Sequence, residues 1–119
     1  MKVDYVQKLI ECCQKRELIL LQHRSMREYN KYFDKMRKYA KKIIDENRVA
    51  ELLPYLDDEN LFIRYSIACF FYNFYPEQCT KVLEEISNMT VPTGLPKHLV
   101  MISVSAHDNL KYGIPKDFP

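Results

Sequence analysis

Tryptophan is absent from these 119 residues, and glycine occurs only twice, at Gly94 and Gly113. Tight hairpin turns and phosphate-cradling loops both draw on glycine. Its scarcity therefore argues against a hairpin-rich β fold and against a glycine-lined nucleotide site. Long apolar runs are missing too: the longest, Ile67 to Tyr72 with Phe74 and Tyr75 beyond it, falls well short of the roughly 18 apolar residues that span a bilayer. The first twenty residues are broken by charge every few positions and show no apolar segment of a secretory signal, so a cytoplasmic location without membrane contact is the expectation. No Cys-x-x-Cys pair occurs. Cys12 and Cys13 are adjacent, Cys69 and Cys79 stand apart, and His23, His98 and His107 are not placed from them as zinc ligands are. The cysteines read as buried free thiols, and neither a metal nor a cofactor is expected.

What the chain does contain is 47% hydrophobic and 29% charged residues, the mixture of a folded domain, and its length fits a single domain over residues 1–119. Lysine and arginine total 18 against 16 acidic residues, a formal charge of +2. That balance argues against a general polyanion binder.

Helical periodicity dominates the pattern. Val3, Val6, Leu9, Ile10, Cys13, Leu20 and Leu21 mark a first helix whose apolar face Glu17 interrupts. Met26, Tyr29, Tyr32, Phe33, Met36, Tyr39, Ala40, Ile43 and Ile44 step by three and four, predicting a long amphipathic second helix. Asn47 to Leu56 reads as a shorter helix that Pro54 kinks or cuts, because proline lacks an amide proton and crowds the preceding turn. The polar turn from Asp57 to Asn60 offers caps for a nearly all-apolar helix over Leu61–Phe74, which should lie at the centre. A fifth helix starts at Pro76 with Glu77 at its positive end and buries Cys79, Val82, Leu83 and Ile86. Pro92, Gly94 and Pro96 make Met89–Lys97 a loop, and a sixth helix runs from His98 to Tyr112, where Gly113 ends it. The class is all-α, with two longer N-terminal helices ahead of two hairpins, 48–74 and 76–112.

Catalytic constellations are not apparent. Ser103, Ser105, His107 and Asp108 are close in the chain, but adjacent helical residues point about 100° apart, so His107 and Asp108 cannot orient one another as a catalytic pair does. Asp57, Asp58 and Glu59 lack the alternating ligands and central glycine of a calcium loop and read as a helix-capping turn. The strongest surface signal is charge. Lys31, Lys35, Lys38 and Lys42 line one side of the second helix. Residues 24–48 hold nine basic against four acidic residues, a net of +5, whereas residues 49–119 hold five against nine, a net of −4. Lysines four apart repel, so the stripe does not serve helix stability.

The stretch ELLPYLDDENLFIRYSIACFF, from Glu51 to Phe71, resembles a HEAT repeat. The family's pattern is carried by Leu52, Leu53 and Leu56 in the first helix, Asp58 in the turn, and Ile63, Arg64 and Ala68 in the second. Pro76–Ser87 resembles the first helix of a following repeat, and His98–Tyr112 its second, without the Asp and the Arg. The resemblance implies a right-handed α-α superhelix in which Asp58 caps the second helix, Arg64 reaches the acidic turn of a neighbouring hairpin, and Ala68 lets helices approach closely. Through Tyr29–Tyr32 and Pro76-Glu77 with Leu83-Glu84, the chain also resembles a family of small bacterial HEAT-like proteins, some thought to be toxin-immunity proteins. Together these readings imply a non-enzymatic module that binds another protein, a toxin in the most concrete version. Its contact residues would be Lys31, Lys35, Lys38 and Lys42 on one surface and Asp58, Glu77, Glu84 and Glu85 on another. A nucleic-acid-binding role for the lysine stripe is the alternative, and self-association through oppositely charged faces is a third reading.

Overall fold

Asp4 opens the first helix by accepting hydrogen bonds from the Val6 and Gln7 amides at 3.1 and 3.3 Å, which satisfies donors that a helix start leaves unpaired. The computed structural model describes residues 4–22, 25–89 and 100–113, which form helices joined by short turns, with no strand among the described residues. Helix α1 spans Tyr5–Leu21 and α2 spans Met26–Asp45. Ser25 caps α2 through the Arg27 amide at 3.1 Å. At the other end of α2, Asn47 adopts a left-handed conformation with φ 56°. The Arg48 amide then bonds to the Ile43 carbonyl and the Asn47 amide to the Ile44 carbonyl, both at 3.0 Å. This paired closure consumes the last carbonyls of α2.

The shorter helix around Pro54 is a 3₁₀ segment, Val49–Asp57, rather than an α-helix. Pro54 cannot donate the bond that an α-turn needs there, and the tighter winding tolerates its absence. Helix α3 follows as Leu61–Phe70. Its cap is Asn60, whose Oδ1 accepts from the Ile63 amide at 3.0 Å. Asp58 acts one step back, accepting from the Asn60 amide at 2.8 Å. The resemblance assigned the cap itself to Asp58; the structure gives Asp58 the role of bracing the cap.

Helix α3 also stops short of the expected Phe74. Turns centred on the Phe71 carbonyl take over, with the Phe74 and Tyr75 amides bonded to it at 3.0 and 3.1 Å. Tyr75 precedes Pro76 and is held out of the helical region at φ −135° and ψ 64°, as a pre-proline residue must be. Helix α4, Pro76–Ser87, starts there, and α5 is described over Val100–Tyr112. Gly113, at φ 86°, ends α5 with its amide on the Asn109 carbonyl at 2.8 Å. The expectations for Val3, for Gly94 and most of the Met89–Lys97 loop, for His98 and Leu99, and for the tail after Gly113 lie outside the described residues.

Helices pack mainly on their chain neighbours: α1 along α2, the 3₁₀ segment along α3, and α4 along both α3 and α5. Helix α3 also touches α1 and α5, so it holds the central place its apolar sequence calls for. Phe62, Ile63, Ile67, Ala68, Cys69 and Phe70 of α3 are all buried. Around them close Leu9 and Cys13 of α1, Met36, Ala40 and Ile43 of α2, Leu52 and Leu56 of the 3₁₀ segment, Leu83 and Ile86 of α4, and Ile102 and Ala106 of α5. Two arginines tie the elements at the rim. Arg48 bonds Asp4, Glu46 and Glu51 at 3.3, 3.4 and 2.7 Å. Arg64 bonds the Leu56 carbonyl and the Glu85 carboxylate at 3.2 and 2.6 Å. Ala68 is fully buried. Among the described residues no helix is long and apolar enough to cross a membrane.

Candidate functional site

Helix α2 commits Met36, Ala40 and Ile43 to the core, and its opposite side carries Lys31, Lys35, Lys38 and Lys42, all exposed. Among the described residues no carboxylate lies within ion-pair distance of any of the four. Lys35 instead lies 5.0 Å from the centre of the Tyr32 ring, so the stem packs on the helix while the charge stays in water. The ridge is a row of solvated cations.

The acidic candidates separate. Glu77 and Glu84 are exposed and share a shallow depression on α4 with Pro76, Thr80 and Lys81. Glu85 turns to Arg64, and Asp58 is engaged at the start of α3. Ser103, a residue of the serine–histidine reading, is buried and donates to the Met89 carbonyl at 2.7 Å, fastening α5 to the end of α4. His107 and Asp108 are exposed.

All four cysteines are free and buried, as the sequence suggests. Burial pushes the Cys13 and Cys79 thiols up to about 12 and Cys69 to about 11, and Cys12 is raised as well. They are unreactive core groups at neutral pH. No cluster of three metal-ligating side chains forms among the described residues.

A second feature has no counterpart in the sequence reading. Between the α1–α2 hairpin, α3 and α5 opens a cleft of about 400 Å³. Its walls are mostly apolar, with Leu20, Met26, Phe33, Phe62, Phe70 and Ile102. Arg16 of α1 lies against it, only 9% exposed. The guanidinium carbon stands 3.9 Å from the Tyr29 ring centre, 4.8 Å from Phe33 and 5.8 Å from Phe62. Nε donates to the Tyr29 carbonyl at 3.2 Å, and Nη1 reaches the Met36 sulfur at 3.9 Å. No carboxylate among the described residues pairs with Arg16. Burial accordingly pulls its pKa below the ordinary arginine value, against the opposing influence of Tyr29. At the other side of the cleft sit Ser105, Asn109 and the Tyr65 hydroxyl, which neighbours Ser105 and the Cys69 thiol. Asn109 Nδ2 lies 3.4 Å from Cys69 Sγ.

Comparison with protein-family models, with curated proteins and with solved structures finds no match to this chain.

The cleft has no local signature in the chain, because its walls come from four separate helices. Arg16 alone carries a partial signal: Val6, Leu9, Ile10 and Cys13 step toward Ile19 with Arg16 in the register between them, and all six are buried. An arginine inside an apolar stripe marks a cation held against a core. That Ser105 and Asn109, some ninety positions away, close the same cleft follows from tertiary packing alone.

Proposed function

We propose that this chain is a non-enzymatic binding module that docks an acidic face of another protein on the lysine ridge of α2. The observation that supports it is the set Lys31, Lys35, Lys38 and Lys42, exposed on one flank with no carboxylate among the described residues within ion-pair distance to neutralise them. Like charges at this spacing weaken a helix, so their placement needs a reason other than stability. A partner that supplies carboxylates gives one, and charge complementarity of this kind speeds association and orients the partner. The candidate serine, Ser103, is consumed in holding α5 to α4, which agrees with a binding rather than a hydrolytic role. A toxin with an acidic docking surface is the form of this reading that the resemblance to small bacterial HEAT-like proteins suggests, with the hairpins stacked as in an α-solenoid.

The test is affinity capture from the source organism with the natural chain and with a variant carrying Glu at positions 31, 35, 38 and 42, followed by reconstitution with the purified partner. An acidic protein that binds the natural chain in a salt-sensitive way and loses the variant supports the reading. Equal binding of both chains by the purified partner rejects it. Retention on duplex DNA that falls steeply with salt and disappears in the variant would establish the nucleic-acid alternative instead.

A further inference from the structure

The cleft holding Arg16 stands apart from the lysine ridge: Tyr29 and Phe33 face it from the side of α2 that packs inward, whereas the four lysines face solvent. We propose that this cleft binds a small amphipathic monocarboxylate, an aryl or short alkyl acid, with its carboxylate on the Arg16 guanidinium and its apolar body between Phe33, Phe62, Phe70 and Ile102.

Three observations converge on that class. First, Arg16 is a buried cation without a counter-ion among the described residues, although Tyr29 holds it in place from two directions, by its carbonyl and by its ring. A guanidinium fixed in this way presents its remaining donors as a fork suited to a planar carboxylate. Second, the space beside it is lined by aromatic and aliphatic carbon, which suits a hydrophobic body and would leave a bare inorganic anion poorly solvated. Its volume of about 400 Å³ lies within the range of small-ligand pockets. Third, Arg16 is the one charged side chain lining the cleft among the described residues. One guanidinium balances one negative charge, so a monoanion is matched while a phosphate monoester, close to doubly charged at neutral pH, would bury an uncompensated charge. Ser105 and Asn109 offer a second polar contact to an acid that carries a hydroxyl or amide at its far end.

The experiment compares three matched probes on the full chain, 3-phenylpropionate, 3-phenylpropan-1-ol and 3-phenylpropylamine, by calorimetry and amide chemical shifts. The carboxylate is expected to bind at least about tenfold tighter than the alcohol, the scale of one charge-assisted pair, and the amine not at all. The shifts should centre on Ser66, Cys69, Ser105 and Asn109. Arg16→Met should erase the preference for the acid while leaving the melting temperature equal or higher, since replacing a buried unpaired charge by a similar apolar volume relieves the fold. Should that variant fail to fold, Ser105→Phe, which fills the cleft from α5 and leaves Arg16 in place, should abolish binding with an unchanged circular dichroism spectrum. Equal affinity for acid and alcohol, shifts confined to the lysine ridge, or no binding of any probe at millimolar concentration overturns the assignment. A peptide ending in a free phenylalanine carboxylate that binds about tenfold tighter than 3-phenylpropionate also overturns it, by making the occupant a chain terminus.

Discussion

Arg64 joins two hairpins through Glu85, its Nη2 lying 2.6 Å from the Glu85 carboxylate, while its Nε donates to the Leu56 carbonyl at 3.2 Å. Glu85 is half-exposed and Arg64 mostly covered, so the two bonds are not of equal weight. Glu85→Gln is expected to cost under about 1 kcal/mol, as exposed ion pairs do. Arg64→Met removes both bonds and leaves the carbonyl without its donor, for a loss of about 1–3 kcal/mol. Urea unfolding of both variants measures the difference; equal losses would show that the Leu56 bond contributes nothing.

Asn47 sits in left-handed backbone at the end of α2. Glycine adopts that conformation freely, whereas a β-branched side chain clashes with the following carbonyl. Asn47→Gly should therefore leave stability unchanged within a few tenths of a kcal/mol, and Asn47→Val should cost about 1–2 kcal/mol. Thermal unfolding midpoints check both.

The buried thiols should weaken the fold at alkaline pH. Cys13, Cys69 and Cys79 are raised from an ordinary 9.0 to about 12, 11 and 12 by burial. Above pH 9 the unfolded chain releases these protons while the folded chain keeps them, so folded stability is complete below pH 9 and is lost as pH climbs toward 11 and beyond. The partly buried Tyr65, likewise raised by desolvation, acts in the same sense. Chemical denaturation at several alkaline pH values should show this fall. A thiol reagent at pH 8 should label native protein slowly and all four cysteines at once in denaturant.

The lysine ridge should be dispensable for folding. Lys35 has a lysine four positions before it and another three positions after it, and a glutamate there replaces two repulsions by two attractions. Lys35→Glu is expected to be neutral or to stabilise by a few tenths of a kcal/mol, even though the Tyr32 contact is lost. A clear drop in melting temperature would show that the ridge supports the helix itself.

Much of the architecture was legible in the residues. Met36, Ala40 and Ile43 announced the buried side of α2, Pro76 marked the start of α4, and Gly113 marked the end of α5. Periodicity reports these features because each depends on a few neighbouring side chains. Where α3 ends was less legible, since its apolar run continues to Tyr72 while the constraint comes from Pro76 further on. The 3₁₀ winding around Pro54 was visible only as a disturbance. The four lysines were legible as a stripe, but whether carboxylates from other elements neutralise them is decided by packing. The burial of Arg16 was not legible from α1 alone: only the aromatic rings brought by α2 and α3 make it intelligible.

The preference of each helix for its chain neighbour also bears on assembly during synthesis. The α1–α2 hairpin can close before the 3₁₀ segment has been made, because its partners are adjacent in the chain. Arg48 must then be in place before it can hold Asp4, 44 positions upstream. The clasp on the start of α1 is thus added after the hairpin it secures, and α3 arrives onto a surface already formed.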